Sequence, residues 1–150
     1  MQNKAGTSVD TDGTVHILIP LNPYTKKNSQ QIFFKNKHNS NGEEKKVPFV
    51  SPSQAYKQYA KDCGIFMRPL GIDYPVNVSA KFFMQTRRVV DLTNLNEAIH
   101  DIMQDNGVIQ NDNCHIIVST DGSRVYYDKD NPRTEIEIRK TTSTFPTKTK

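Results

Sequence analysis

The stretch from Pro75 to Asp105 places an alternating segment before a helix-periodic one, and this succession constrains the fold more than any other feature. Residues 75–85 alternate apolar and polar side chains, as in a strand with one buried face. Asn106-Gly107 supplies residues that tolerate the left-handed conformation at a helix end. Between these landmarks, four apolar residues recur at helical spacing: Leu92, Leu95, Ile99 and Ile102. The pattern predicts a strand followed by an amphipathic helix.

Shorter segments predict the remaining elements. A first helix begins after the capping residue Ser53 and ends before Pro69. Further strands are predicted over residues 14–20, 31–35, 115–119 and 134–139. The strand at 31–35 is expected to pair with the one at 14–20, and residues 36–46 are expected to form an exposed loop.

We therefore predict an α+β fold in a single domain, with a mixed β-sheet and two principal helices. The domain is expected to span residues 14–140. Residues 1–13 and 141–150 are polar and lack periodicity, so they are expected to be flexible tails.

Composition narrows the class of protein. The chain has 150 residues, of which 35% are hydrophobic and 24% charged, enough for one core. Cys63 and Cys114 match neither a disulfide framework nor a zinc pattern. No apolar signal segment and no stretch of about 18 apolar residues occurs. We expect a cytoplasmic protein that does not span a membrane.

Charge is distributed unevenly along a chain whose formal net charge is +4. Residues 91–131 contain eight acidic residues against two basic ones, whereas residues 26–46 and 57–90 are basic. A nuclease combines basic segments that hold phosphates with carboxylates that hold Mg²⁺. Solvated surface charge is the alternative interpretation.

Two aspartates bracket the second helix and are candidates for chemistry. Asp91 lies at its entrance and Asp112 follows its end. Six extended residues span about 20 Å, so the segment after the helix is long enough to return Asp112 toward Asp91. Two carboxylates and water would suit the oxygen-only coordination of Mg²⁺. As ordinary structural residues, Asp91 would cap the helix and Asp112 would lie in a turn.

The order of residues in this region resembles the RusA-type Holliday junction resolvases. Residues 87–95 read R-R-V-V-D-L-T-N-L, and after the helix residues 106–112 read N-G-V-I-Q-N-D. The P-L-N-P sequence at residues 20–23 and the helix start at residues 53–59 also match, so the resemblance covers about residues 14–140.

The resemblance implies a fold, an activity and a site. The family consists of small dimeric Mg²⁺-dependent endonucleases of phage and prophage, which cut four-way or branched DNA in recombination, repair or phage DNA processing. Mn²⁺ is expected to substitute for Mg²⁺. Carried over by position, Asp91 is the first metal-binding carboxylate and Asp112 the downstream one, and Asn94 and Leu95 also match. The expected location is the cytoplasm of a bacterial cell or of a phage-infected host.

Two positions depart from the family pattern. Thr93 replaces the second carboxylate of the motif, and Glu97 occupies the helix position usually held by Lys. Because residues four apart share a helix face, we expect Glu97 to restore the carboxylate as a catalytic metal ligand, with Lys27 or Lys81 supplying the missing cation. Thr93 is expected to bind metal weakly, or else to cap the helix. An inactive branched-DNA-binding protein of the same fold is the alternative.

Other residues receive binding or structural roles. Phosphate contacts are expected from Lys26, Lys27, Lys81, Arg87 and Arg88. Asp101 is expected to be solvated or to form a salt bridge. The four histidines show no metal-ligand spacing and are expected to be structural. A single-strand binder is the weakest reading, because the chain lacks Trp and shows no regular aromatic spacing among basic residues.

Overall fold

A computed structural model describes residues 4–26, 30–38 and 40–146. It contains eight strands and two helices in these ranges. In chain order they are β1 (Gly6–Val9), β2 (Val15–Ile19), β3 (Gln30–His38), β4 (Glu44–Pro52), α1 (Gln54–Gly64), β5 (Val76–Met84), α2 (Leu92–Asp105), β6 (Ile117–Ser119), β7 (Arg124–Tyr127) and β8 (Arg133–Lys140).

The main sheet is mixed, which confirms the predicted α+β class. Its strand order is β1-β2-β8-β5-β6, and β7 also pairs with β5. β5 is antiparallel to β8 and parallel to both β6 and β7. Since α2 connects β5 to these parallel neighbours, the arrangement is a strand–helix–strand crossover. α2 therefore starts at the carboxyl end of β5 and returns toward its amino end.

The predicted alternation of β5 decides which face of the sheet is buried. Val76, Val78, Ala80 and Phe82 are fully buried. They belong to one hydrophobic cluster with the apolar face of α2, which includes Leu95, Ile99 and Ile102. The opposite face of β5 carries polar residues and the exposed Lys81. Both helices therefore cover the same side of the sheet. The candidate residues of α2 lie on the side of the helix that faces away from the sheet.

The helix ends follow the sequence signals. The Ser53 hydroxyl accepts a hydrogen bond from the Tyr56 backbone N–H at 3.1 Å, which confirms the predicted cap of α1. α2 ends at Asp105, and Gly107 adopts a φ of +74°, a conformation that favours glycine. None of the helices in the described part is long and apolar enough to cross a membrane.

Three parts of the chain differ from the sequence-based expectations. Gly6–Val9, within the expected flexible tail, forms β1, because it can pair antiparallel with the otherwise free edge of β2. β3 pairs with β4 rather than with β2, so much of the expected loop at 36–46 belongs to a separate two-stranded sheet. β7 forms between the predicted strands at 115–119 and 134–139, where the sequence predicted no strand.

Candidate active site

Asp91 occupies the N-cap position of α2, immediately after the loop that leaves β5. Its backbone is extended, with φ −90° and ψ 127°, yet its side chain makes no capping hydrogen bond. Instead, the Asp91 carboxylate accepts a 3.3 Å hydrogen bond from the Asn94 side-chain amide. Asp91 is exposed. The contacts of this carboxylate therefore differ from those expected of a helix cap.

The solvent-facing side of α2 continues from Asp91 as a polar stripe. Asn94, Glu97, Asp101 and Asp105 follow at intervals of three or four residues, which place them on one face of a helix. Glu97 and Asp105 are exposed, and Asp101 is half-buried. Thr93 is exposed in the first turn and does not occupy the N-cap position, which belongs to Asp91.

Lys26 lies on this stripe. Its ammonium group donates to the Asp101 carboxylate at 3.1 Å, so the salt bridge expected of Asp101 is confirmed. Lys26 also lines a small recess with Asn94, Glu97 and Ala98. The segment after β2 thus brings a cation to within one helical turn of Glu97.

Asp112 packs against the second half of α2. Its backbone N–H donates to the Gln104 side-chain carbonyl at 3.1 Å. Partial desolvation raises the pKa of the Asp112 carboxyl, and the neighbouring Asp101 carboxyl raises it further through a hydrogen bond and through its charge. Asp105 adds a smaller effect of the same sign. Asp112 is therefore one of a pair of closely spaced carboxyl groups.

The negative charge of the polar stripe also affects the pKa of a tyrosine on the neighbouring helix α1. Burial raises the pKa of the Tyr56 hydroxyl to about 12, and the charges of Asp101, Asp105 and Glu97 contribute to this increase. Tyr56 belongs to the buried face of α1. The charges of these acidic residues on α2 therefore extend to the buried face of α1.

The contacts separate the two predicted carboxylates into neighbouring groups. Asp91 contacts Asn94, whereas Asp112 contacts Asp101, and about 15 Å of helix rise lies between positions 91 and 101. In the described part of the chain, no three His, Cys, Asp or Glu side chains converge on one point suited to a metal ion. The donors line one helix face instead of forming a single cluster.

A cleft of about 210 Å³ adjoins Asp91. It lies between the loop after β2 and the loop after β5, and these loops are tied by a 3.0 Å hydrogen bond from the Gln85 backbone N–H to the Asn22 side chain. Arg88, Val89 and Val90 line it on one side, and Asn22 to Thr25 on the other. Val89 is 95% exposed, which leaves this apolar side chain without packing partners beside the candidate site.

The predicted phosphate-binding residues fall in different places. Arg87 and Arg88 are exposed in the loop before Asp91. Lys81 is exposed on the sheet face opposite α2, with Arg124 and Glu135 as cross-strand neighbours. Lys27 lies outside the described residues.

Sequence reasoning missed two features of this region. Asp101 pairs with Asp112, although its spacing of four residues from Glu97 was a signal that the acidic stripe continued. An aromatic and arginine group also forms at the carboxyl end of β5, where the Arg87 guanidinium lies 5.0 Å from the Tyr127 ring centre. No sequence spacing indicated it, because strand pairing brings these residues together.

The donor chemistry of the site fits a hard divalent cation. Asp91, Thr93, Glu97 and Asp112 offer oxygen atoms alone, which is the preference of Mg²⁺ and Mn²⁺. The pKa of Asp112 is raised first by partial desolvation and then by the neighbouring Asp101 carboxyl, and a bound cation would offset the charge repulsion between these two groups.

Comparison with known proteins identifies the family of this chain. No curated protein matches the chain. A family model described as endodeoxyribonuclease RusA matches residues 20–139. The matched region runs from the end of β2 through β8, and it contains Lys26, Asp91, the whole of α2 and Asp112. This match covers most of the chain and supports a nuclease that hydrolyses DNA; the chain belongs to the RusA endodeoxyribonuclease family.

Proposed function

We propose that this protein is a divalent-metal-dependent endodeoxyribonuclease that cuts four-way or branched DNA. One observation carries the proposal. Within the RusA match, Asp91 occupies a helix N-cap, but its carboxylate makes no capping hydrogen bond and accepts from the Asn94 amide instead. A carboxylate that the fold does not use is available for a ligand.

Mg²⁺ is the proposed metal, with Mn²⁺ as a substitute. The proposed carboxylate ligands are Asp91, Glu97 and Asp112, with Thr93 as a weak hydroxyl ligand; because Asp91 and Asp112 belong to separate groups along α2, each would hold its own metal ion. When bound, the metal activates water and stabilises the charge of the phosphoryl transition state. Asn94 holds the Asp91 carboxylate in place through its 3.3 Å hydrogen bond.

Basic residues hold the DNA backbone in this proposal. Lys26 provides the cation nearest Glu97, and a phosphate that approached the stripe would compete with Asp101 for its ammonium group. Arg87 and Arg88 would contact phosphates beside Asp91, and Lys27 and Lys81 are further proposed contacts. Because phosphate contacts carry little sequence information, selectivity would come from the shape of the branched DNA.

A homodimer is the proposed assembly. A four-way junction has strands related by two-fold symmetry, so a two-fold dimer would present two sites to them. The proposed setting is the cytoplasm of a bacterium or of a phage-infected host, in recombination, repair or phage DNA processing.

The experiment that tests the function compares a synthetic mobile four-way junction with a linear duplex of matched sequence. Mg²⁺-dependent, symmetric nicks on the junction are expected for the wild-type protein and for the control Asp121→Asn, a surface aspartate in the turn before β7. Asp91→Asn and Asp112→Asn should lose cleavage while they still bind the junction in Ca²⁺. Equal cleavage of both DNAs would contradict junction selectivity.

Glu97 decides between the active enzyme and the inactive alternative. If Glu97 compensates for Thr93, Glu97→Ala should lower the Mg²⁺-dependent rate while junction affinity in Ca²⁺ stays nearly unchanged. Thr93→Asp should leave the rate unchanged or raise it. Tight junction binding by wild-type protein that cuts with neither Mg²⁺ nor Mn²⁺ would instead establish the inactive branched-DNA-binding protein.

A further inference from the structure

An exposed tyrosine and an arginine form a fixed pair at the carboxyl end of β5. Tyr127 is 48% exposed on the outer strand β7, and the Arg87 guanidinium lies 5.0 Å from the centre of its ring. Tyr127 is in register with Met84, and the next residue, Asp128, donates its backbone N–H to the Met84 carbonyl at 2.9 Å. Strand pairing therefore fixes the position of the ring, and the arginine contact favours its orientation.

The strand register shows which side of the sheet this pair occupies. The neighbouring Tyr126 stacks on Phe83 with ring centres 4.7 Å apart, on the side opposite the hydrophobic core. Because side chains alternate along a strand, Tyr127 and Met84 lie on the other side, which is the side of α2. Met84 also lines the cleft beside Asp91. Tyr127 thus borders the region that contains the candidate active site.

The charge around Tyr127 suits a polyanion. Arg87 and the next residue, Arg88, are exposed, and neither forms an ion pair with an acidic side chain in the ranges that the structure describes. The nearest acidic residue in sequence, Asp128, is occupied by Arg133 at 2.9 Å. An aromatic ring beside unpaired arginines is the combination that binds a nucleobase and its phosphates.

We propose that Tyr127, held by Arg87, is a stacking site for an unpaired nucleobase of DNA. This inference rests on the proposed function, since the branch point of the substrate is where bases lose their stacking partners. A fully paired duplex buries its base faces and offers none to the tyrosine. The site would therefore favour branched or bulged DNA over linear duplex, in addition to the phosphate contacts.

The test uses a duplex with one unpaired 5-iododeoxyuridine, compared with the fully paired duplex, in Ca²⁺ so that cleavage plays no part. Ultraviolet crosslinking followed by peptide mass spectrometry should place the crosslink on Tyr127 in the bulged DNA. Tyr127→Ala should remove this crosslink and weaken binding of the bulged duplex by about tenfold, with little effect on the paired duplex. Tyr127→Phe should retain both properties.

Phe145→Ala is the matched control, because Phe145 is equally exposed at 47% but packs on His115, near the start of β6 and so toward the opposite end of β5. It should leave affinity and crosslinking unchanged. A crosslink elsewhere, an equal loss for bulged and paired DNA, or a change in the mass of the protein in solution with Tyr127→Ala would overturn the proposal. These readouts need no cleavage, so failure of the nuclease proposal and failure of the stacking site give different results.

Discussion

The two helix N-caps of this protein are used differently, although both residues are good capping types. Ser53 accepts a hydrogen bond from the Tyr56 N–H, whereas Asp91 makes no capping bond and interacts with Asn94 instead. The sequence could not distinguish them, because both precede an apolar helical pattern. The difference lies in the side-chain rotamer, and it separates a residue kept for stability from one available for chemistry.

This difference predicts that alanine substitutions at the two N-caps lower the free energy of unfolding by unequal amounts. Ser53→Ala should lower the free energy of unfolding by about 1 kcal/mol, since it leaves a helix N–H without a partner. Asp91→Ala should cost less than about 0.5 kcal/mol, because it loses only an exposed charge near the helix N-terminus and a long, exposed hydrogen bond from Asn94. Urea denaturation of the two variants measures this directly. Equal losses would mean that Asp91 does cap the helix in solution.

His100 predicts how stability depends on pH. Burial lowers the pKa of its ring, and its Nε2 atom has no hydrogen-bond partner in the described structure. Between the folded pKa and the ordinary value near 6.5, the unfolded chain binds more protons than the native protein, so stability falls as pH falls through this window.

His100→Gln should therefore reduce the loss of stability between about pH 7.5 and pH 5.5. The measurement is urea denaturation at both pH values, with exposed His115→Gln as the control that keeps the wild-type dependence. If His100→Gln loses as much stability on acidification as the wild-type protein, the buried histidine does not determine this pH dependence.

At the scale of elements, the two helices meet at their carboxyl ends through a glycine. A Cβ atom on Gly64 would lie 2.5 Å from the Asn106 side-chain oxygen. Asn106 cannot move freely, because its amide donates to the Ile102 carbonyl at 2.8 Å at the end of α2. Gly64 thus permits a close approach between the end of α1 and the C-cap of α2.

Gly64→Ala should destabilise the protein by about 1 kcal/mol, opposite to the gain that a glycine-to-alanine change usually brings in a helix. Asn106→Ala should lose its own hydrogen bond, but the double variant should be more stable than the sum of the two single losses, since the clash is gone. Thermal unfolding of the four proteins gives the coupling. Strict additivity would show that the two side chains do not meet.

The same scale shows what sequence periodicity could predict. β5, α2 and the Ser53 cap follow patterns that need no distant partner, and the structure confirms them. β1 is a short polar strand that forms by pairing with the adjacent β2, and β7 depends on β5, which is far away in sequence, so neither strand gave a clear signal of its own. β3 was predicted, but its pairing depends on β4, where two prolines and several charges obscured the strand.

The candidate site, like the fold, was predictable only where its residues follow a local sequence pattern. Asp91 and Asp112 were identified because they match a known motif in fixed order around a helix. Their partners were not, since Asn94, Asp101 and Lys26 acquire their roles through helix geometry and through a loop that crosses to α2. The Arg87–Tyr127 pair required the parallel alignment of β5 with β7.

At the scale of the whole molecule, the crossover from β5 through α2 arranges the proposed functional residues in a row along the helix. Asp91, Arg87 and Tyr127 lie toward the carboxyl end of β5, and α2 carries the acidic stripe away from it toward Asp112. Lys26 contacts the stripe between these ends. A DNA strand that follows this row would meet cations, carboxylates and an aromatic ring in succession.

This arrangement predicts that a divalent cation stabilises the native protein in the absence of DNA. The carboxyl groups of Asp112 and Asp101 repel each other in the fold, and this repulsion is weaker when the chain unfolds. A cation that binds only the native state at ten times its Kd adds about 1.4 kcal/mol to the free energy of unfolding. For a chain of this size, that gain corresponds to an increase in Tm of about 3–6 °C.

Differential scanning calorimetry with Mn²⁺ measures this increase against NaCl of equal ionic strength. Asp112→Asn should raise Tm without added metal, because it removes the repulsion, and it should abolish most of the response to Mn²⁺. Asp121→Asn should keep the full response. If Mn²⁺ shifted the Tm of Asp112→Asn as much as that of the wild-type protein, the cation would bind elsewhere, and Asp112 would act through its contact with α2 alone.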